Sequence, residues 1–172
     1  MEFREIYNAK TNILRGNSGS GKTTIAKELQ IRFGRNTMLI SQDSIRRDML
    51  RVKDRKDTKA LPLMKKLLEY GNVHSDVVIL EGIMYSEWYN PLFELANELY
   101  GREIYAYYFD LSFEETLKRH QTKTNCHEFG ENEMHRWWRE KDFSDVLNEK
   151  SITSDKSFES IVTEIYRDVV RE

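Results

Sequence analysis

The sequence predicts an α/β protein, a three-layer α/β/α sandwich around a mainly parallel sheet of five strands. Three observations carry this. Short apolar runs alternate along the chain with helical patterns, the order expected when crossover helices join parallel strands. Residues 77–80, Val-Val-Ile-Leu, form a run apolar at every position, as in a strand buried on both faces. Residues 16–23 read Gly-Asn-Ser-Gly-Ser-Gly-Lys-Thr, the phosphate-binding pattern of Gly, four residues, Gly, Lys, then Ser or Thr. By average composition that pattern arises by chance in roughly one in a hundred chains of this length. Here it has the expected setting, with Ile13-Leu14 before it and a helical pattern of Ile25, Ala26 and Leu29 after it.

The elements follow in order. A first strand ends near Leu14, and a helix runs from the phosphate loop to about Phe33, stopped by Gly34. Residues 37–40 are short, apolar and partly β-branched, hence a second strand. Residues 43–50 read as helix, and the charged stretch 51–59 as a solvent-facing connection. Pro62 suits the start of the next helix, where its missing N–H costs little; Leu63, Met64, Leu67 and Leu68 make its stripe, ended by Gly71. After the strand at 77–80 comes a helix over 91–99 broken by Gly101, then a strand over 104–109. Ser112, with Glu115 three residues on, caps a helix carrying Phe113, Thr116 and Leu117. Residues 121–130 have no clean period. A short strand is expected around 151–153, followed by a final amphipathic helix capped by Ser154 or Asp155. Without repeats or linkers, residues 1–172 read as one domain.

Composition narrows the function classes. Lys and Arg number 27 against 29 Asp and Glu, a net charge of -2, which does not favour a dedicated nucleic-acid binder. One cysteine, Cys126, excludes an intrachain disulfide and fits a reducing compartment. Residues 1–6 lack an apolar signal core, and no run is long enough to span a membrane, so a cytoplasmic protein without membrane association is expected.

The phosphate loop sets the chemistry. Its glycines allow successive N–H groups to face one concavity suited to a polyphosphate, so Gly16, Asn17, Ser18, Gly19, Ser20, Gly21, Lys22, Thr23 and Thr24 are expected to hold ATP. Lys22 is placed to reach the β- and γ-phosphates and Thr23 to hold Mg²⁺ through its hydroxyl. At the end of the second strand, Asp43 is a candidate base for an attacking hydroxyl. Arg46, three residues on, would share its face and meet the acceptor; a plain helix cap with solvated arginines remains the alternative. Glu81 ends the most buried strand and could hold Mg²⁺ or grip an acceptor hydroxyl, with Gly82 allowing close approach. Tyr85 and Trp88 are placed either to stack on a flat acceptor or to pack in the core. Residues 119–141 carry Arg119, His120, Lys123, His127, Arg136, Arg139 and Lys141, a lid segment in which Arg136 and Arg139 would close over the transferred phosphate. His120, Cys126, His127 and His135 lack zinc-chelate spacing.

The runs at 39–44 and 78–83, with the phosphate loop, resemble the uridine kinase branch of the P-loop nucleoside and nucleotide kinases. That resemblance implies a P-loop kinase fold and makes Asp43 the general base; the family's lid arginines, which precede an Asp, match Arg136 and Arg139 before Asp142. The chain departs from it at Ile45-Arg46, where the family has Phe-Tyr, and it lacks a segment matching the β-hairpin of the family's base pocket. The spacing of Asp43 and Arg46 is similar to that in polynucleotide 5′-kinases and the zeta-toxin and chloramphenicol phosphotransferase group, which places Arg46 on the acceptor side.

The expected function is ATP- and Mg²⁺-dependent phosphorylation of a hydroxyl on a small molecule, a nucleoside among the candidates. The alternatives are a kinase of a nucleic-acid 5′ end or nucleotide-sugar, and a non-catalytic ATP-gated binding protein. A homodimer is left open, and the chain has little room for the additional domains of an ATP-driven motor.

Overall fold

The computed structural model of the chain describes residues 9–171, so the amino-terminal stretch 1–6 read above for targeting lies outside the described residues. Five strands form one sheet: β1 (Lys10–Gly16), β2 (Thr37–Ser41), β3 (Val77–Gly82), β4 (Ile104–Phe109) and β5 (Glu149–Ile152), in the order β2-β3-β1-β4-β5. Every neighbouring pair is parallel. Six α-helices accompany it: α1 (Lys22–Phe33), α2 (Ala60–His74), α3 (Ser86–Tyr100), α4 (Phe113–Gln121), α5 (Glu131–Trp137) and α6 (Phe158–Val170).

Side-chain alternation along the central strands divides the core. Ile13, Val78 and Leu80 pack with Met64 and Leu68 of α2 and Leu92 and Phe93 of α3. Leu14, Ile79, Tyr107 and Phe109 face the other way, onto Leu29 of α1 and Ile161 and Ile165 of α6. The strands are covered on both faces and therefore read as unbroken apolar runs. Because β2 lies outside β3 while β4 lies on the other side of β1, the chain changes direction between β1 and β3. The crevice at the carboxyl ends of those two strands is where sheets of this kind bind ligands.

Several boundaries differ from the sequence expectation for local reasons. Helix α2 runs through Gly71 to His74, because a Cβ at residue 71 would come within 2.6 Å of Val78; the glycine lets helix and strand approach and does not stop the helix. Helix α3 begins at Ser86, ahead of Pro91, which lies inside it. Helix α4 is capped as expected, Ser112 Oγ accepting from the Glu115 amide at 3.2 Å. Helix α6 is capped by Ser157, which accepts from the Ser160 amide at 3.1 Å, and not by Ser154 or Asp155. The 51–59 connection is not wholly in solvent: Asp54 accepts from Tyr89 Oη (2.8 Å) and from the buried Gln42 amide (3.1 Å). Burial pushes its carboxyl above the usual range. Residues 44–49 form a π-helix in place of an α-helix.

Among the described residues, no helix is long and apolar enough to cross a membrane.

A fully buried arginine stands inside the core. Arg15, on β1 just before the phosphate loop, is 0% exposed. Its guanidinium pairs with Glu149 at 2.7 Å and Asp142 at 3.0 Å and donates to the Met84 carbonyl at 2.9 and 3.1 Å. It also lies over the Phe93 and Tyr108 rings. Asp142 in turn accepts from the Ser86 amide and hydroxyl, and Glu149 from the Ser144 amide. A buried charge is tolerable only when paired and hydrogen-bonded this fully. The network fixes the segment following α5 against the carboxyl edge of the sheet.

Candidate active site

The phosphate loop connects β1 to α1 and needs its glycines. Gly19 and Gly21 have φ of +81° and +92°, in the left-handed region, and a Cβ on Gly19 would meet the Thr116 carbonyl at 2.6 Å. No side chain caps α1, so its first amides remain directed at the loop. Lys22 Nζ donates to the Asn17 carbonyl at 2.8 Å and to Ser20 Oγ at 3.0 Å, lying across the concavity. Arg119, paired with Glu115 at 2.8 Å, braces the loop from α4 by donating to the Ser20 carbonyl.

Register sets the opposite wall. Ser41 and Glu81 are partners across the β2–β3 pair, and Ser41 Oγ donates to Glu81 Oε1 at 2.5 Å. Thr23 Oγ1, from the first turn of α1, donates to Glu81 Oε2 at 3.2 Å. Gly82 leaves room for Gln42, since a Cβ there would fall 2.4 Å from Gln42 Oε1. Glu81 is therefore 2% exposed with both oxygens engaged by hydroxyls.

A cavity of about 660 Å³ opens between these walls, within the range of small-ligand sites. Ser18, Gly19, Gly21, Lys22, Thr23 and Thr24 line it from the loop, Asp43 and Glu81 from the strand ends. Burial lowers the Lys22 ammonium to about 8, with the Glu81 carboxylate opposing that shift and Lys123 adding to it. Above pH ~8 the empty site thus loses the positive charge a phosphate needs, while a bound triphosphate would restore it by drawing a proton. Nucleotide affinity is expected to fall as pH rises through this region, with proton uptake on binding. Calorimetry near pH ~9 in two buffers of different ionisation enthalpy measures that uptake. Affinity flat across the region, without uptake, would contradict the lowered value.

The π-helix places two arginines beside Asp43, one turned inward and one toward the site. Its hydrogen bonds run from i to i+5. Asp43, Ser44, Arg47 and Asp48 line the cavity, whereas Arg46 does not. Arg46 points toward the protein, its side chain 16% exposed, donating to Asp43 Oδ1 at 2.9 Å and to the Val52 carbonyl at 3.4 Å. Arg47 lies 3.7 Å from Asp43 and 3.8 Å from Glu128 across the mouth. Of the two arginines, Arg47 lines the cavity.

Other expected residues also lie elsewhere. Tyr85 and Trp88 pack edge to face at 4.9 Å, outside the cavity, and Tyr85 Oη donates to the Trp137 carbonyl at 2.5 Å. Burial pushes the Tyr85 phenol up to about 12. Arg136 is exposed on α5, and the Arg139 guanidinium lies over the Tyr85 ring at 4.9 Å; neither lines the cavity. What reaches the loop from this stretch is the Arg139 backbone: Asn17 Nδ2 donates to its carbonyl at 2.7 Å and Asn17 Oδ1 accepts from its amide at 3.0 Å. Lys123, Asn125, Glu128 and Phe129 line the mouth in place of the arginines.

A family profile described as an AAA domain matches residues 12–140, about three quarters of the chain. The chain belongs to this AAA domain family. No curated protein matches it by sequence. The AAA domain chain has the fold of P-loop kinases: it is similar to a gluconokinase from Sinorhizobium meliloti 1021 with a TM-score of 0.68 at 15% identity, over 94% of this chain and 92% of that one. It is similar to the Mycobacterium tuberculosis APS kinase, solved with AMPPNP and APS, with a TM-score of 0.63 at 17% identity, over 96% and 99% of the two chains. A tunicamycin resistance protein from Deinococcus radiodurans gives 0.63 at 13% identity, over 95% and 97%.

Proposed function

We propose that this protein transfers the γ-phosphoryl group of ATP to a hydroxyl of a small molecule, with nucleosides among the candidate acceptors. The observation that carries this reading is the convergence, in one cavity, of the phosphate loop with carboxylates from two neighbouring strand ends, Asp43 and Glu81. Similarity in fold to a gluconokinase and an APS kinase supports a small acceptor. ATP is favoured over GTP because the sequence has no Asn-Lys-x-Asp segment to read guanine.

In the proposed reaction the acceptor oxygen attacks the γ-phosphorus while its proton passes to Asp43, and the bond from that phosphorus to the bridging oxygen of the departing ADP breaks. Lys22 and the loop amides hold the β- and γ-phosphates. The hydroxyl of Thr23 and the carboxylate of Glu81, 3.2 Å apart, are hard oxygen donors of the kind Mg²⁺ accepts. No group of three or more His, Cys, Asp or Glu that could hold a metal ion occurs among the described residues. When bound, Mg²⁺ would neutralise charge on the phosphate oxygens.

The test is mass-spectrometric detection of phosphorylated products from pooled nucleosides, nucleotide-sugars, aminocyclitols and 5′-hydroxyl oligonucleotides, with ATP consumption followed in parallel. A small-molecule product supports the reading. Tight ATP binding without a product from any pool would favour a nucleotide-gated binding role.

A further inference from the structure

The segment between α4 and α5 folds over the cavity mouth and is pinned at defined points. His120, buried on α4, meets the Phe129 carbonyl through Nε2 at 2.9 Å and stacks on its ring at 4.4 Å. Between them the chain makes consecutive tight turns, with the Lys123 amide bonded to the His120 carbonyl and the Cys126 amide to that of Lys123. From across the mouth, Arg47 lies over the Phe129 ring and beside Glu128.

This path turns Lys123 inward. Of the basic residues between 119 and 141, Lys123 alone lines the cavity. The others are spent or point away: Arg119 on Glu115 and the loop, Lys141 on Asp110 at 2.7 Å, Arg139 on the Tyr85 ring, and Arg136 in solvent. The Lys123 side chain is half-buried and makes no ion pair or side-chain hydrogen bond among the described residues. Burial holds its ammonium below the ordinary lysine value, with Glu81 and Asp43 the nearby carboxylates that oppose this. An ammonium with no partner on the protein is left to pair with an anion entering the cavity. Its neighbours are the groups that bracket phosphoryl transfer: Lys22 on the loop, Asp43 and Glu81 at the strand ends.

We propose that Lys123, and not Arg136 or Arg139, is the lid cation that touches the γ-phosphoryl group of the bound triphosphate. This rests on the nucleotide reading above. The lid thereby distinguishes triphosphate from diphosphate, and opens more readily once the γ-group has left.

The experiment compares dissociation constants for Mg²⁺-AMPPNP and Mg²⁺-ADP, by calorimetry on the full chain, in wild type, K123M, K123R, R136A and R139A. Wild type is expected to prefer AMPPNP. K123M should lower that preference about 10- to 100-fold, the worth of one charge-assisted hydrogen bond, with ADP affinity nearly unchanged. K123R should keep most of the preference, and R136A and R139A should keep it fully. An unaltered preference in K123M, or its loss in R136A or R139A instead, would overturn the assignment while leaving the nucleotide reading intact. A wild type that binds neither nucleotide would overturn both.

Discussion

Replacing Arg15 by methionine is expected to lower the unfolding free energy by about 3–5 kcal/mol, the cost of stranding a buried charge whose partner is removed. Glu149 loses a 2.7 Å ion pair in a place where its own side chain is only 1% exposed. Asp142 loses its partner too, and the Met84 carbonyl loses both of its guanidinium donors. Methionine fills much of the space between Phe93 and Tyr108, so loss of volume is a minor part of the effect. Urea denaturation with an unchanged slope isolates the stability change. If the stranded carboxylate is the cause, R15M combined with Glu149→Gln should be more stable than R15M alone. A loss below ~1 kcal/mol would mean that water reaches these carboxylates and that the network is not sealed.

Asn at position 43 is expected to cut turnover by about 10²–10⁴-fold while leaving ATP affinity nearly unchanged, the signature of a lost general base. The substitution preserves shape and an oxygen for Arg46 to bond, and removes only the capacity to take a proton. Asp43 suits the role because it lines the cavity with its side chain 59% exposed, while Arg46 fixes its orientation at 2.9 Å. Folding should be little affected, since an exposed pair of this kind contributes less than ~1 kcal/mol. Single-turnover measurements, in which product release cannot mask chemistry, provide the comparison. Full single-turnover rates in D43N would reassign the base.

How much of this was legible in the sequence depended on how local the cause was. The phosphate loop, the β4 strand and the Ser112 cap each follow from residues within a few positions of one another, and each lies where expected. The π-helix did not announce itself, because Ser44 to Met49 carries no residue that separates i+4 from i+5 bonding, and which of Arg46 and Arg47 lines the cavity was not legible either. The engagement of Glu81 by both Ser41 and Thr23 depends on strand register and on the seating of α1, neither of which is written in the motif. Lys123 was visible as one basic residue among several, and only the turns between His120 and Phe129 separate it from Arg136 and Arg139. Arg15 did leave a signal, a charge between an apolar pair and the phosphate loop. A strand covered on both faces requires counter-charges for such a residue, and these come from more than 120 positions downstream.

The two-way pairing of Asn17 with the Arg139 backbone has a practical consequence. The loop that would clasp phosphate is tied directly to residue 139, whose guanidinium rests on Tyr85; Tyr85 in turn donates to the Trp137 carbonyl and packs edge to face with Trp88. Trp138 adjoins the same linkage, and the chain has no further tryptophan. All of its indole emission therefore originates beside one mechanical connection to the loop. Indole emission is therefore expected to change as AMPPNP fills the loop, and a label-free titration that leaves the emission unaltered would show that the connection does not respond.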